Sequence, residues 1–274
     1  MKKIEKDVIK IIVGDWHCGS DRAILPPSVQ LPPLMADDPI RTIHGSNQQV
    51  EIYKHLMSCA DNIAKKYATH KKVFVFHGDM IEGIHHHTIQ LSAPMVNDHV
   101  IIHKVIASEF LERCKFSVKN GDELHYVSGT ETHTVWTEGQ IAKEFDVYNA
   151  KFHDEFKSKY NGIDVWYVHQ WVGVGNGHNE GSAIVNALKA MFYNSLKEIW
   201  NMPNLVVAGH FHKSGLASFS QNFKTFYGIV TPSLQRKTRH GQKVSAFQRN
   251  DIGIQLVEIT AGGLLNIIPP MLMK

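Results

Sequence analysis

Residues 8–17 read VIKIIVGDWH: an apolar run, a glycine, then an aspartate and a histidine two residues apart. A short apolar run closed by glycine predicts a buried strand, here Val8 to Val13. Asp15 and His17 then sit just past its carboxyl end. Working outward, the same arrangement recurs. Lys72 to Phe76 is followed by His77-Gly78-Asp79, and Glu123 to Val127 by Ser128-Gly129-Thr130-Glu131-Thr132-His133. Asp164 to Val168 is followed by His169, and Asn204 to Ala208 by Gly209-His210-Phe211-His212. In open α/β sheets ligands bind at the carboxyl ends of strands, so five such ends predict one crevice lined by Asp, Glu and His.

Segments of helical period separate these strands. Ser46 is a candidate cap for a helix carrying Val50, Tyr53, Leu56, Met57, Ala60, Ile63, Ala64 and Tyr67 inward. Further helices are predicted from about Val96 to Cys114, from about Thr137 to Phe145, and after Ser182. The alternation predicts an α/β fold with at least one largely parallel sheet. In the last third, Phe226 to Val230, Gly253 to Ile259 and Leu264 to Ile268 predict strands joined by turns. They would form a second antiparallel sheet or extend the first. No repeat or linker divides residues 1–274, so a single domain is expected. Residues 20–44 contain Pro26, Pro27, Pro32, Pro33 and Pro39 and read as a loop insertion. It leaves from the first motif, so it forms either a rim over the site or a surface insertion without a role.

The donor types narrow the chemistry. Carboxylates with several imidazoles, and no thiolate cluster, suit Mn, Fe, Zn or Ni. Six or more donors exceed what one catalytic zinc takes from protein and fit two cations bridged by a carboxylate such as Asp79. Histidine is abundant, with 18 copies, and the 3 cysteines are odd in number and lack a CxxC pair. A disulfide framework and a thiolate zinc site are therefore not expected, and a reducing cytoplasm fits best. The start MKKIEKDVIKIIVG is broken by Glu5 and Asp7 and is too short in its apolar part for a signal sequence. No stretch approaches a membrane span. The net charge of +3 allows a phosphate-bearing partner without demanding nucleic acid. No P-loop, GxGxxG or serine nucleophile elbow competes.

The ordered set DxH (Asp15, His17), GD (Asp79), GTETH (Gly129 to His133), His169 and GHFH (His210, His212) resembles the calcineurin-like metallophosphoesterase superfamily. The resemblance runs from about Val8 to His212 and is expected to continue through the last strands. It implies a layered α/β/β/α sandwich of two mixed sheets and two divalent cations, Mn²⁺ first, with Fe, Zn or Ni as alternatives. One cation would be held by Asp15, His17, Asp79 and His212, the other by Asp79, His169, His210 and a residue of the third motif. That motif departs from the family's G-N-H-(D/E), and the variant resembles phage and prophage members. Either Thr130 or Glu131 takes the place of the usual asparagine ligand, and His133 takes the general-acid role.

The expected reaction is hydrolysis of a phosphoester by in-line attack of a metal-bridging hydroxide. A phosphodiester, as in a nucleotide or nucleic acid, comes first. A phosphomonoesterase or protein phosphatase and a catalytically silent metal-binding scaffold are the alternatives. His85, with His86 and His87, and His178 in the loop GNGHN are candidate substrate contacts, or solvated loop imidazoles. Arg236, Lys237, Arg239 and His240 could meet substrate phosphates or lie in solvent. Trp16, Trp136 and Trp171 each adjoin a motif and could stack on a base or shield the site.

Overall fold

The computed structural model describes residues 5–84, 90–134, 137–198, 200–244 and 249–274. His85, His86, His87 and Trp136 lie outside the described residues.

Among the described residues, thirteen strands and six α-helices follow in this order: β1 (Val8–Gly14), β2 (Ser28–Leu31), β3 (Arg41–His44), α1 (Asn47–Lys66), β4 (Lys71–His77), α2 (Val96–Arg113), β5 (Glu123–Val127), α3 (Glu131–Thr134), α4 (Thr137–Glu144), β6 (Lys151–His153), β7 (Phe156–Tyr160), β8 (Ile163–Tyr167), α5 (Ser182–Glu198), β9 (Leu205–Ala208), β10 (Gly215–Gln221), β11 (Lys224–Val230), α6 (Arg239–Val244), β12 (Gly253–Ile259) and β13 (Leu265–Leu272). One sheet has the order β13-β12-β1-β4-β5-β6 and the other β10-β11-β9-β8-β7. Both are mixed. β1, β4, β5 and β6 run parallel while β12 and β13 add antiparallel. β8, β9 and β11 run parallel between antiparallel β7 and β10. Of the predicted C-terminal strands, β12 and β13 extend the first sheet antiparallel, whereas β11 joins the second, mixed sheet parallel to β9 and forms no separate antiparallel sheet.

The burial pattern gives the layering. Val8 and Ile12 of β1, Val73 and Val75 of β4 pack against Val165 and Tyr167 of β8 and Val207 of β9, so the two sheets face each other. The opposite face of the first sheet, with Ile9, Ile11, Phe74 and Phe76, packs on α1 and α2. The outer face of the second, with Val206 and Ala208, packs on Ile184 and Leu188 of α5. This is an α/β/β/α sandwich. Each aliphatic side chain buried in these layers contributes about 1.5–3 kcal/mol.

Local sequence explains the element ends. At the start of α1, the Ser46 amide and hydroxyl both donate to Oε1 of Gln49, at 3.1 and 3.0 Å. Ile52 and Cys59 join Leu56, Met57, Ala60 and Ile63 on its buried face, which turns the apolar seam slightly from the predicted one. Residues 20–44 are more ordered than their prolines suggest. β2 and β3 form an antiparallel hairpin, Val29 and Leu31 are buried, and Arg41 makes a fork of two hydrogen bonds to Asp98 of α2 at 2.9 and 2.8 Å. The exposed tip at Leu34 and Met35 lies beyond that anchor. Among the described residues no helix is long and apolar enough to cross a membrane.

Candidate metal centre

Because β1, β4 and β5 are parallel, their carboxyl ends lie together, and those of β8 and β9 lie together in the facing sheet. The residues just past these ends turn sharply. Asp15, His17, Asp79, His210 and His212 all have positive φ, between 46° and 70°. They are five of the ten non-glycine residues in that region among the described residues. Such backbone is disfavoured for side chains with a Cβ and accumulates at functional sites. Glycines clear the space. A Cβ on Gly78 would lie 2.2 Å from His169 Nδ1, and one on Gly129 would lie 2.3 Å from Asp79 Oδ1.

The donors converge in three overlapping groups: Asp15, His17 and His212; His17, Asp79 and His133; Asp79, His169 and His210. Within each, one donor atom per residue lies within 4.8 Å of the others, a spacing that could hold a metal ion. His17 Nε2 is 3.1 Å from His212 Nε2, which is 3.2 Å from Asp15 Oδ1. His169 Nε2 is 3.0 Å from Asp79 Oδ2. Asp79 and His17 each belong to two groups, so the groups form one continuous cluster.

The distal ring nitrogens of these histidines face oxygens of neighbouring segments. His169 Nδ1–H donates to the His77 carbonyl at 2.9 Å, and His133 Nδ1–H donates to the Glu82 carbonyl at 2.8 Å. His17 Nδ1 lies 3.0 Å from Glu82 Oε2. In His133 the donated proton leaves Nε2 as the lone-pair atom, and in His169 it does so once the proton facing Asp79 is lost, the usual arrangement of metal-ligating histidine.

Charge follows from this crowding. Burial raises the Asp15 carboxyl, but His212 and His169 outweigh it and hold its pKa below the ordinary value. The same contest, won by His169 and His17, holds Asp79 well below its ordinary value. Burial lowers His169, yet Asp79 and Asp15 push it up to about 10. His17 is raised in the same way against burial, chiefly by Glu82. Burial and then His17 push His133 down to about 4. Two buried carboxylates thus stay ionised and recruit protons onto neighbouring imidazoles, and a divalent cation would displace those protons. The mixed O/N donor set, the inward Nε2 atoms and the buried anionic charge fit divalent cations.

The third motif divides. Thr130 reaches the cluster, its amide and hydroxyl donating to Asp79 Oδ1 at 2.7 and 2.9 Å. Glu131 begins α3 exposed to solvent and belongs to none of the three groups. His133 enters the cluster beside His17, with ring centroids 4.6 Å apart. His178 is exposed on a loop that is held by Lys213, whose Nζ donates to the Gly175 carbonyl at 2.6 Å. Trp16 is fully buried against Phe76 and Phe110 and offers no open stacking face, while Trp171 is half-buried at the α5 layer. Arg236 pairs with Glu51 at 3.0 Å, Lys237 is half-buried and Arg239 is exposed; the His240 side chain lies outside the described residues.

Three participants escaped the sequence reading. Glu82, three residues after Asp79, is buried beside His17, and Gln235 Nε2 donates to its Oε2 at 2.9 Å. Glu138 of α4 accepts from the Gly129 amide at 2.7 Å and the Met80 amide at 3.3 Å, stapling two motifs together. Burial, then Asp79, raises its pKa to about 7. The GDxxE spacing was the one available signal for Glu82; Glu138 carries none.

No family sequence model matches the chain, and no curated protein sequence matches it. Solved structures do. The chain is similar to a sulfate thiohydrolase, SoxB, of Thermus thermophilus (9% identity, TM-score 0.43, covering 100% of this chain and 57% of that one). It is similar to an archaeal phosphodiesterase (9%, TM-score 0.42, covering 97% and 99%). It is also similar to the NAD nucleotidase NadN of Haemophilus influenzae (11%, TM-score 0.41, covering 96% and 55%). It therefore spans little more than half of the first and third of these.

Proposed function

We propose that this chain is a metallophosphoesterase of the calcineurin-like superfamily that hydrolyses a phosphodiester, of a nucleotide or nucleic acid, at a dinuclear centre. The carrying observation is the place of Asp79 between two sets of donors: its Oδ2 lies 4.0 Å from Nε2 of His17, which groups with Asp15 and His212, and 3.0 Å from Nε2 of His169, which groups with His210. A buried carboxylate common to two groups is the feature a pair of cations needs and a single ion does not. Asp15, His17, Asp79 and His212 would hold one cation; Asp79, His169 and His210 would hold the other. Mn²⁺ suits this oxygen-and-imidazole set. Such cations supply Lewis-acid stabilisation of phosphoryl oxygens and lower the pKa of water.

The side chains account for the remaining needs. Thr130 donates to Asp79 and fixes the shared carboxylate. In hydrolysis water adds to phosphorus, the bond to the leaving oxygen breaks, and one proton moves from the water to that oxygen. His133 is the group for this transfer. It would give a proton to the leaving oxygen as general acid, held in place by the Glu82 carbonyl at Nδ1. The net charge of +3 is compatible with a phosphate-bearing substrate.

The test is hydrolysis of a chromogenic phosphodiester and its matching monoester, with Mn²⁺ and with chelator, for wild type and Asp79→Asn. Metal-dependent diester cleavage that Asp79→Asn abolishes supports the proposal. Preference for the monoester moves the function to phosphatase. Tight metal binding without turnover of either, or of nucleotides and nucleic acid, leaves the silent scaffold.

A further inference from the structure

We infer that Glu82 is a positioning residue that sets the ring orientation of two imidazoles in the metal cluster, His17 through its side chain and His133 through its main-chain carbonyl. The inference rests on the metal-binding reading of the cluster but not on phosphoester hydrolysis.

Glu82 stands in loop backbone between β4 and α2. Its amide donates to the Cys18 carbonyl at 2.9 Å, which ties it to the residue beside His17. Its carboxylate is buried, with Oε2 3.0 Å from His17 Nδ1 and 2.9 Å from Gln235 Nε2. Gln235 is itself buried and also donates to Ser20 Oγ at 3.1 Å, so the carboxylate is held from behind. The Glu82 carbonyl accepts from His133 Nδ1–H at 2.8 Å. The next residue, Gly83, has φ +69°, and a Cβ there would lie 2.5 Å from the His133 carbonyl oxygen. The chain therefore doubles back beneath His133 only because glycine follows Glu82.

The physical consequence is a choice of tautomer. An acceptor at Nδ1 places the proton there and leaves Nε2 as the donor atom. Nε2 of His17 is the atom that lies 3.1 Å from His212 Nε2 and 3.9 Å from Asp15 Oδ1. A carboxylate behind a ligating imidazole also makes the ring more basic, which strengthens its bond to a cation. Because one influence runs through the side chain and the other through the main chain, replacing the side chain separates them.

The full chain, stripped of metal and reloaded with Zn²⁺, is the sample. The ring-nitrogen spectrum of ¹⁵N-histidine-labelled protein gives each tautomer. Zn²⁺ titration calorimetry gives the affinity, and thermal melting shows that each variant is folded. In wild type, His17 and His133 are both expected as Nδ1–H rings. Glu82→Gln keeps an acceptor without the charge, and Glu82→Met removes both. Zn²⁺ affinity is expected to fall in the order wild type, Gln, Met, by about 10- to 100-fold at the end of the series. The His17 signature should change in Glu82→Met while His133 keeps Nδ1–H. Gln235→Leu, which releases the carboxylate without touching either histidine, should lower affinity by less. It carries the test if Glu82→Met does not fold. An Nε2–H tautomer at either histidine in wild type overturns the inference. So does Zn²⁺ affinity within twofold of wild type in the Glu82 variants, or equal disturbance of both rings. Retained Zn²⁺ behaviour without phosphodiester turnover would instead remove the proposed activity and leave the role of Glu82 standing.

Discussion

Replacing Gly78 with alanine should damage the cluster far more than the same change at Gly121, although both backbones are left-handed, with φ +74° and +82°. At Gly121 nothing lies within 4 Å of the added Cβ, so only the conformational penalty acts, about 1–2 kcal/mol. At Gly78 the Cβ would lie 2.2 Å from His169 Nδ1 and 2.5 Å from Cγ. The ring must move by about an ångström to restore ordinary contact. It is pinned at both nitrogens, by the His77 carbonyl at 2.9 Å and by Asp79 Oδ2 at 3.0 Å. Movement breaks at least one of these, and a hydrogen bond to a charged group is worth about 1.5–3 kcal/mol. Gly78→Ala should therefore lose about 3–5 kcal/mol of stability in urea unfolding of the metal-free protein. It should also lose at least about tenfold in Mn²⁺ affinity by calorimetry. Gly121→Ala should leave the affinity unchanged. Equal stability losses in the two variants, with Mn²⁺ affinity intact in both, would refute the reasoning that Gly78 exists to admit His169.

Further outcomes follow from the same geometry. Apparent Mn²⁺ affinity should rise from pH 6 to pH 8, because protons held on the raised His169 and His17 must leave before a cation binds; a flat calorimetric profile would contradict this. Glu138 is raised to about 7, so between about pH 4.5 and 7 the folded state holds a proton that the unfolded state has released. Its contribution to stability therefore falls as pH rises through that window, and metal-free Glu138→Gln should show a flatter pH–stability curve than wild type there. Lys213→Met removes the bond to the Gly175 carbonyl and should speed proteolytic cutting within residues 173–181 without changing Mn²⁺ stoichiometry.

Much of the sandwich could be read from sequence because its central strands are short apolar runs and each ends on a chemically distinctive pair. The alternation around Val8–Gly14 and Lys71–His77 placed Asp15 and Asp79 at strand ends without reference to tertiary contacts. β2 and β3 were not legible: each has 4 residues, too few for a periodic signal, and prolines surround them. β7, Phe156–Tyr160, alternates but is rich in Lys and Tyr, since it forms an edge of its sheet. Lys10 carries the same lesson inside a strand. It shares the inter-sheet side of β1 with Val8 and Ile12 and stays buried because its Nζ donates to Ser158 at 3.0 Å and lies 4.1 Å from the centre of the Tyr160 ring. Burial, only partly opposed by Glu123, lowers its pKa to about 7. In the site, metal-type donors announced themselves by spacing. Their supports did not, because Glu82, Gln235 and Glu138 act through hydrogen bonds between segments far apart in the chain. Thr130 and Glu131 were adjacent candidates, and only the turn into α3 separates one facing Asp79 from the other facing solvent.

The central claim is a dinuclear centre built on a shared Asp79. Its most direct test is the number of Mn²⁺ ions bound per chain, measured by titration calorimetry on chelator-stripped protein and checked by elemental analysis. The account predicts two for wild type and no more than one at the same affinity for Asp79→Asn. One ion in wild type, or two retained tightly in Asp79→Asn, would contradict it.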